Sequence, residues 1–105
     1  MNVIIKNQDQ IIIRPMIDII ASYAIDFKNE ILALIHDVYN KRYIMDLFYV
    51  NEIDSIGFGI ISSIYQRLNV CGNYFEVVNV NDNVWNLFCT MRLNRSFNVY
   101  KYSKS

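Results

Sequence analysis

Short β-branched runs alternate with segments of helical periodicity, and this alternation limits the folds that the chain can adopt. Strands are predicted at 3–5, 11–13, 43–48, 74–80 and 97–100. The polar residues between the first two runs are of hairpin length, which predicts an antiparallel pair. Later strands are separated by helical segments, and strands joined in this way generally run parallel. The sequence therefore predicts an α/β fold of order β-β-α-β-α-β-α-β, with a mixed sheet and helices mainly on one face.

Apolar residues spaced three and four apart predict three amphipathic helices. The first covers about 22–39, with Ser22 or Asp26 expected to support its first turn. The second follows residue 55 and is expected to stop at Gly72 in a left-handed conformation. The third starts near 81–83 and is expected to bury Val84, Leu87, Phe88 and Met91. Because three helices can leave the other face of the sheet partly open, exposed apolar residues there are a candidate homodimer or partner surface.

Length and composition indicate one globular domain spanning 1–105. The chain has 105 residues, of which 53% are hydrophobic, and its formal net charge is zero. A neutral chain gives no electrostatic case for nucleic acid or an anionic membrane as the main partner. No secretion signal is recognisable, and no apolar run approaches the roughly 18 residues that a membrane span requires. We therefore expect a cytoplasmic protein without membrane insertion.

The residue types that usually carry catalysis or bind metals are scattered. Cys71 and Cys89 have neither a metal-binding nor a redox spacing and are expected to be reduced and buried. His36 falls off the apolar stripe of the first helix and is expected at the surface. Asp46 is expected to face solvent on the open side of the sheet. With no nucleophile–base pair, phosphate loop or metal set, we expect no cofactor, no metal and no enzymatic activity; a small enzyme using Asp54 or a cysteine is the alternative.

The heptapeptide IDSIGFG at 53–59 marks the turn from the third strand to the second helix. Asp54 and Ser55 are residue types that cap a helix N-terminus. Gly57 and Gly59 are unexpected there, because each glycine in a helical turn costs roughly 1 kcal/mol relative to alanine. Bare backbone at a helix N-terminus lets another surface approach and favours an anion. The alternative is a capped helix whose glycines serve tight internal packing.

The six residues from Asp54 to Gly59 resemble the Asp-Ser-Ser/Thr-Gly-Leu-Gly signature of STAS domains of the anti-sigma factor antagonist type, with Ile56 in place of the usual Ser or Thr. Upstream, residues 16–18 resemble the family's apolar-Gly-x-Leu-Asp segment and supply its Asp, Asp18. Downstream, RLNRSF at 92–97 resembles the family's Gly-Leu-x-x-x-Phe without its glycine. The resemblance covers nearly the whole domain and implies the STAS fold.

The resemblance also implies a bacterial regulator of transcription rather than an enzyme. In such proteins the unphosphorylated domain binds an ATP-binding anti-sigma factor that is also a Ser kinase, which frees the sigma factor; phosphorylation ends binding, and a protein phosphatase restores it. The phosphoacceptor would be Ser55. The expected partner contacts are Asp18, Asp54, Ile56, Gly57 and Gly59. The alternative within the fold is a STAS scaffold or adaptor subunit of a lipid transporter or a stress-sensing assembly, in which Ser55 would be structural or regulatory only.

Overall fold

The computed structural model describes residues 2–35 and 41–103. The predicted surface position of His36 and the end of the first predicted helix lie outside these residues. The strands are β1 (Asn2–Lys6), β2 (Gln10–Pro15), β3 (Arg42–Asp46), β4 (Tyr74–Val80) and β5 (Asn98–Lys101). The helices are α1 (Ala21–Leu34), α2 (Ser55–Val70) and α3 (Asp82–Thr90), and a short 3-10 helix covers Leu93–Arg95.

The five strands form one mixed sheet in the spatial order β1-β2-β3-β4-β5. The β1–β2 pair is antiparallel, and every later pair is parallel. A turn at Asn7 closes the hairpin, because its side-chain oxygen accepts hydrogen bonds from the backbone N–H groups of Asp9 and Gln10 at 3.2 and 3.0 Å. The predicted element order and mixed sheet are confirmed.

All three helices pack on the same face of the sheet. Each crossover moves one strand further in the same direction, and right-handed crossovers of this kind place their helices on one side. Alternation along the strands agrees, since Ile11, Ile13, Tyr43, Met45 and Val77 point to the helices and are at most 4% exposed. No helix in residues 2–35 and 41–103 covers the other face, which agrees with the predicted helices mainly on one face.

Aromatic side chains fill the core between α2, α3 and the last two strands. The rings of Phe58 and Phe88 meet edge to face with their centroids 4.8 Å apart, and Phe75 and Phe97 do so at 5.0 Å. These contacts join the start of α2 to α3 and to the sheet. Phe58, three residues after Ser55, therefore anchors the first turn of α2 in the core.

The helix ends differ in three places from the sequence prediction. Neither Ser22 nor Asp26 caps α1, whose N-cap position is Ile20 with no side-chain hydrogen bond. Met91 is 42% exposed rather than buried, because α3 ends one residue earlier.

Cys71 and Cys89 are reduced as expected but only partly buried, since each lies at or near the end of a helix. Gly72 has the predicted left-handed conformation, with φ of 77°.

The prediction that Asp46 faces solvent is wrong, although it does lie on the uncovered side of the sheet. Its side chain is buried, and Oδ2 accepts a hydrogen bond from Arg14 Nε at 2.9 Å in a salt bridge. Oδ1 accepts hydrogen bonds from Asn79 Nδ2 at 2.9 Å and from the backbone N–H of Phe48 at 3.0 Å. Arg14 lies on β2, Asn79 on β4 and Phe48 in the loop after β3, so the carboxylate has three protein donors.

Arg92 lies directly after α3 in a backbone conformation that favours glycine. Its φ is 59°, in the left-handed region that favours glycine, directly after α3 ends. The chain turns there into the 3-10 helix that leads to β5. This turn therefore holds a residue type that is less suited to its backbone conformation than glycine.

Candidate functional site

The candidate site lies where the loop after β3 meets the segment before α1. An isolated parallel bridge pairs Ile19 with Ile53. Two backbone hydrogen bonds support it, from Ile19 N–H to the carbonyl of Glu52 at 3.2 Å and from Asp54 N–H to the carbonyl of Ile19 at 3.3 Å. The bridge brings the N-termini of α1 and α2 side by side, although they are more than 30 residues apart in sequence.

Asp54 is the residue that joins the two helix N-termini. Its Oδ1 accepts a hydrogen bond from Gly57 N–H, and its Oδ2 accepts one from Ala21 N–H, both at 2.8 Å. The same carboxylate therefore accepts a hydrogen bond from a first-turn N–H group of each helix, and these N–H groups have no partner within their own helix. The hydrogen bond from Gly57 and then that from Ala21 hold the pKa of Asp54 below its usual value, because they favour the charged form.

Asp18 holds the loop that precedes this turn. Its Oδ1 accepts hydrogen bonds from the backbone N–H groups of Asn51 at 2.8 Å and Glu52 at 3.2 Å. These contacts fix the loop immediately before the Ile53 bridge. Asp18 precedes Ile19 and Asp54 follows Ile53, so the bridge between these two isoleucines brings both aspartates to the same end of the domain.

Ser55 occupies the first position of α2 and is exposed. Because Asp54 supplies the cap, the Ser55 hydroxyl is not needed to pair the backbone of the first turn. Within the described part of the chain it makes no hydrogen bond. An exposed hydroxyl without an internal partner is accessible to another protein's active site.

Gly57 has an internal reason to be glycine. It is buried, and a Cβ built on it would lie 2.0 Å from the carbonyl oxygen of Ile19 and 2.8 Å from a methyl carbon of Ile53. Only a residue without a side chain lets α2 approach the Ile19 backbone this closely. The packing alternative therefore accounts for Gly57, and its part in partner binding stays a prediction.

Gly59 has no such internal reason. It is exposed, and a Cβ built on it would meet no atom within 4 Å. Ile56, in the first turn of α2, is an aliphatic side chain that is 52% exposed. Together with Ser55 they form a surface at the start of α2 that is open, partly apolar and short of side-chain bulk.

The contribution of α1 to this surface was not predicted from the sequence. Tyr23 lies in the first turn of α1 and is 48% exposed, and Ala21 binds the shared carboxylate. No sequence pattern relates the first turn of α1 to the Asp54 turn, because the two are more than 30 residues apart. Only the bridge between Ile19 and Ile53 places the first turn of α1 beside the candidate site.

The site offers no group of metal ligands. Within residues 2–35 and 41–103, no three His, Cys, Asp or Glu side chains are arranged so that they could hold a metal ion. The same part of the chain contains no helix with the length and apolar character needed to cross a bilayer.

No protein-family model matches the sequence, and no match is found among curated proteins. Solved structures do match. A Thermotoga maritima protein described as an anti-sigma factor antagonist is 25% identical with a TM-score of 0.88, over 95% of this chain and 86% of that one.

Two further solved structures extend the likeness. An anti-sigma factor antagonist (STAS) domain protein from Planctomyces limnophilus has a TM-score of 0.84 at 11% identity, over 97% of this chain and 91% of that one. The anti-sigma factor antagonist SpoIIAA, in its unphosphorylated form, has a TM-score of 0.68 at 15% identity, over 100% of this chain and 90% of its own. At these identities the two likenesses are of fold.

Proposed function

This chain has the STAS fold and resembles STAS proteins of the anti-sigma factor antagonist type. We propose that it is itself an anti-sigma factor antagonist, and that phosphorylation of Ser55 switches it off. In its unphosphorylated form it binds an anti-sigma factor with Ser-kinase activity. Phosphorylation of Ser55 by that partner ends binding, and a protein phosphatase restores it. The protein is then a substrate and a binding module, with no catalytic residue of its own.

The observation that carries the proposal is that Asp54 caps α2 and leaves the Ser55 hydroxyl without a structural role. Asp54 caps α2 and also binds Ala21, so the fold does not use the Ser55 hydroxyl. A phosphoryl group adds a charge of about −1.5 to −2 at neutral pH. At the first position of a helix this charge is compatible with the fold, because the helix N-terminus favours anions.

The surface around Ser55 supports the proposal that binding is sensitive to that charge. Ile56, the next residue of α2, has a large exposed side chain, and Gly59 leaves the backbone of α2 open. A partner that covers this apolar surface removes water from Ser55. A phosphoryl group buried in that contact without a cationic partner is costly, and a loss of ~3 kcal/mol weakens affinity about a hundredfold.

The test compares three forms of the protein as baits in a lysate of the native host, with bound proteins identified by mass spectrometry. Wild type and Ser63→Asp are expected to retain a small ATP-binding kinase that Ser55→Asp does not. Ser63 is a matched control because it is exposed on the same helix, two turns further on, where its hydroxyl donates to the carbonyl of Gly59.

The kinase step is tested with the recovered partner and ATP. Phosphate should appear on wild type and on Ser63→Ala, and should be absent from Ser55→Ala. Equal unfolding temperatures of the Ser55 variants and wild type show that the fold is intact. Retention of one partner by all baits without phosphorylation contradicts the switch and favours the scaffold or adaptor alternative.

A further inference from the structure

Strand β1 lies at one edge of the sheet, and within the described part of the chain β2 is the one strand that pairs with it. An edge strand has a row of backbone N–H and C=O groups that can pair with a further strand. At the other edge, the pairing of β5 with β4 is irregular between Val77 and Val80, and Lys101 is paired with Asp82. Irregular pairing protects an edge from further strands. Strand β1 pairs regularly with β2 along its whole length, so its edge lacks this protection.

The hydrogen-bond pattern identifies which backbone groups of β1 point outward. In an antiparallel pair of strands, residues that bond each other alternate with residues that do not. At the hairpin turn, Asn7 N–H donates to the carbonyl of Gln10 at 3.0 Å, so these two residues form a bonded pair. The next residues of β1 that bond β2 are therefore Ile5 and Val3. The residues whose N–H and C=O groups point away from β2 are Asn2, Ile4 and Lys6.

Two features of β2 agree with this alternation. Asn2 lies opposite Pro15, which has no N–H group to donate, so these residues do not form a bonded pair. The carbonyl of Asp9 accepts a hydrogen bond from Arg42 N–H at 3.2 Å, which directs the odd-numbered residues of this segment towards β3. The even-numbered residues of β2 are then the ones that bond β1, as the hairpin turn indicates.

The outward row of β1 is complementary to a second copy of itself. In an antiparallel pair of β1 strands centred on Ile4, each Ile4 lies opposite Ile4 of the other copy, and each Lys6 lies opposite Asn2. Every outward N–H group then faces a carbonyl of the other strand. Lys6 is the one charged residue of β1, and this register keeps the two ammonium groups at opposite ends of the pair. Ile5 is 41% exposed, and a strand added beside β1 removes part of its surface from water.

We propose that two copies of this chain pair their β1 strands antiparallel about Ile4 and join their five-stranded sheets into one continuous sheet. The interface is isologous, so it closes on two copies. A pair of short strands is a small interface, and the dimer therefore forms in an equilibrium that depends on protein concentration. The inference does not rest on the proposed function, because it uses the edge of the sheet and not the helix N-terminus that carries Ser55.

Sedimentation equilibrium of the whole chain tests the pairing at protein concentrations from roughly 10 µM to 1 mM. The average mass should rise from that of one chain towards that of two. Ile4→Pro removes an outward N–H group from each copy and should weaken the dimer at least tenfold, whereas Ile4→Val keeps this group and should associate as wild type does. The mass of one chain at every concentration would overturn the proposal. A dimer that Ile4→Pro leaves unchanged would also overturn it and would indicate the open face of the sheet as the interface.

Amide hydrogen exchange of the wild-type protein tests the register without a variant. Exchange at Ile4 should be at least tenfold slower at the highest concentration than at the lowest, because its N–H group is bonded only in the dimer. Exchange at Ile5, whose N–H group bonds β2 in either state, should be much less sensitive to concentration, and exchange along β5 should not change. Equal exchange at Ile4 at both concentrations would contradict the assignment. The protein partner is absent from both experiments, so their outcomes are independent of the Ser55 switch.

Discussion

Gly57 and Gly59 are two residues apart, and their surroundings are opposite. The first lies against the Ile19 carbonyl with no room for a methyl group, and the second faces open space. The same residue type therefore has two physical explanations within one helical turn. One glycine makes the fold possible, whereas the other weakens its helix with no internal compensation in the described structure.

Alanine at each position separates these explanations. Gly57→Ala should lower the free energy of unfolding by about 3 kcal/mol, because the new methyl group forces the Ile19 backbone away. Gly59→Ala should raise it by about 1 kcal/mol through higher helix propensity. Urea unfolding measures both. If Gly59→Ala also weakens binding of the protein partner, Gly59 is a close-approach position; unchanged binding would contradict that part of the proposal.

Arg92 has a left-handed backbone conformation, which glycine adopts more readily than arginine. Its left-handed backbone costs a non-glycine residue about 1 kcal/mol. Arg92→Gly should therefore raise the free energy of unfolding by about 0.5–1 kcal/mol, as measured by urea unfolding. Arg95→Gly is the control, because Arg95 lies in the 3-10 helix that follows and should lose stability. A loss of stability in Arg92→Gly would show that its side chain has a stabilising contact of its own.

At the scale of elements, α1 and α2 depend on one carboxylate. Ile20 offers α1 no side-chain cap, and Asp54 supplies the missing acceptor from the other helix. The two helix N-termini are thereby fixed side by side. The positive ends of both helix dipoles stabilise the negative charge of the Asp54 carboxylate. The position of Ser55 relative to Tyr23 follows from this shared cap.

Asp54→Asn should lower the unfolding temperature at pH 7, because the amide offers one acceptor oxygen where the carboxylate offers two. The pKa of Asp54 is lowered in the folded state, so its charge contributes stability above the ordinary pKa of an aspartate. That contribution is lost as pH falls through about 4 towards the lower pKa of the folded state. The difference between wild type and variant, measured by thermal unfolding, should shrink from pH 6 to pH 3. A pH-independent difference would contradict the electrostatic explanation.

At the scale of the whole molecule, one polar network crosses the open side of the sheet. Asp46 connects Arg14 of β2, Asn79 of β4 and the loop after β3. A second salt bridge on this side joins Arg42 to Glu76, and the arginine side chain is 54% exposed. The buried network therefore connects the loop after β3, which leads to the candidate site, to β2 and β4 through Asp46.

Asp46→Ala should lower the free energy of unfolding by about 2–3 kcal/mol, because Arg14 and Asn79 lose their partner at a partly buried position. Arg42→Ala removes one side of the exposed salt bridge and should cause a smaller loss. Urea unfolding of the two variants measures the comparison. Equal losses would show that burial of Asp46 adds nothing to the interaction.

The sequence by itself determined the elements, their order and the chemistry of the Asp54 turn. Alternation and helical spacing are local patterns, so they predicted the strands, the helices and the mixed sheet. Asp54 was predicted as a cap because a cap acts within four residues. The left-handed stop at Gly72 is equally local. Met91 was assigned to the wrong environment because periodicity does not define where a helix ends.

The tertiary structure decided which distant residues meet. Asp54 caps a second helix 33 residues away, Asp46 finds Arg14 across 32 residues, and Gly57 packs on Ile19. No pattern in the sequence marks these pairs, because they arise from strand register and from the bridge between Ile19 and Ile53. The reason is physical: a carboxylate is satisfied by any donor within hydrogen-bond reach, and only the folded backbone determines which donor that is.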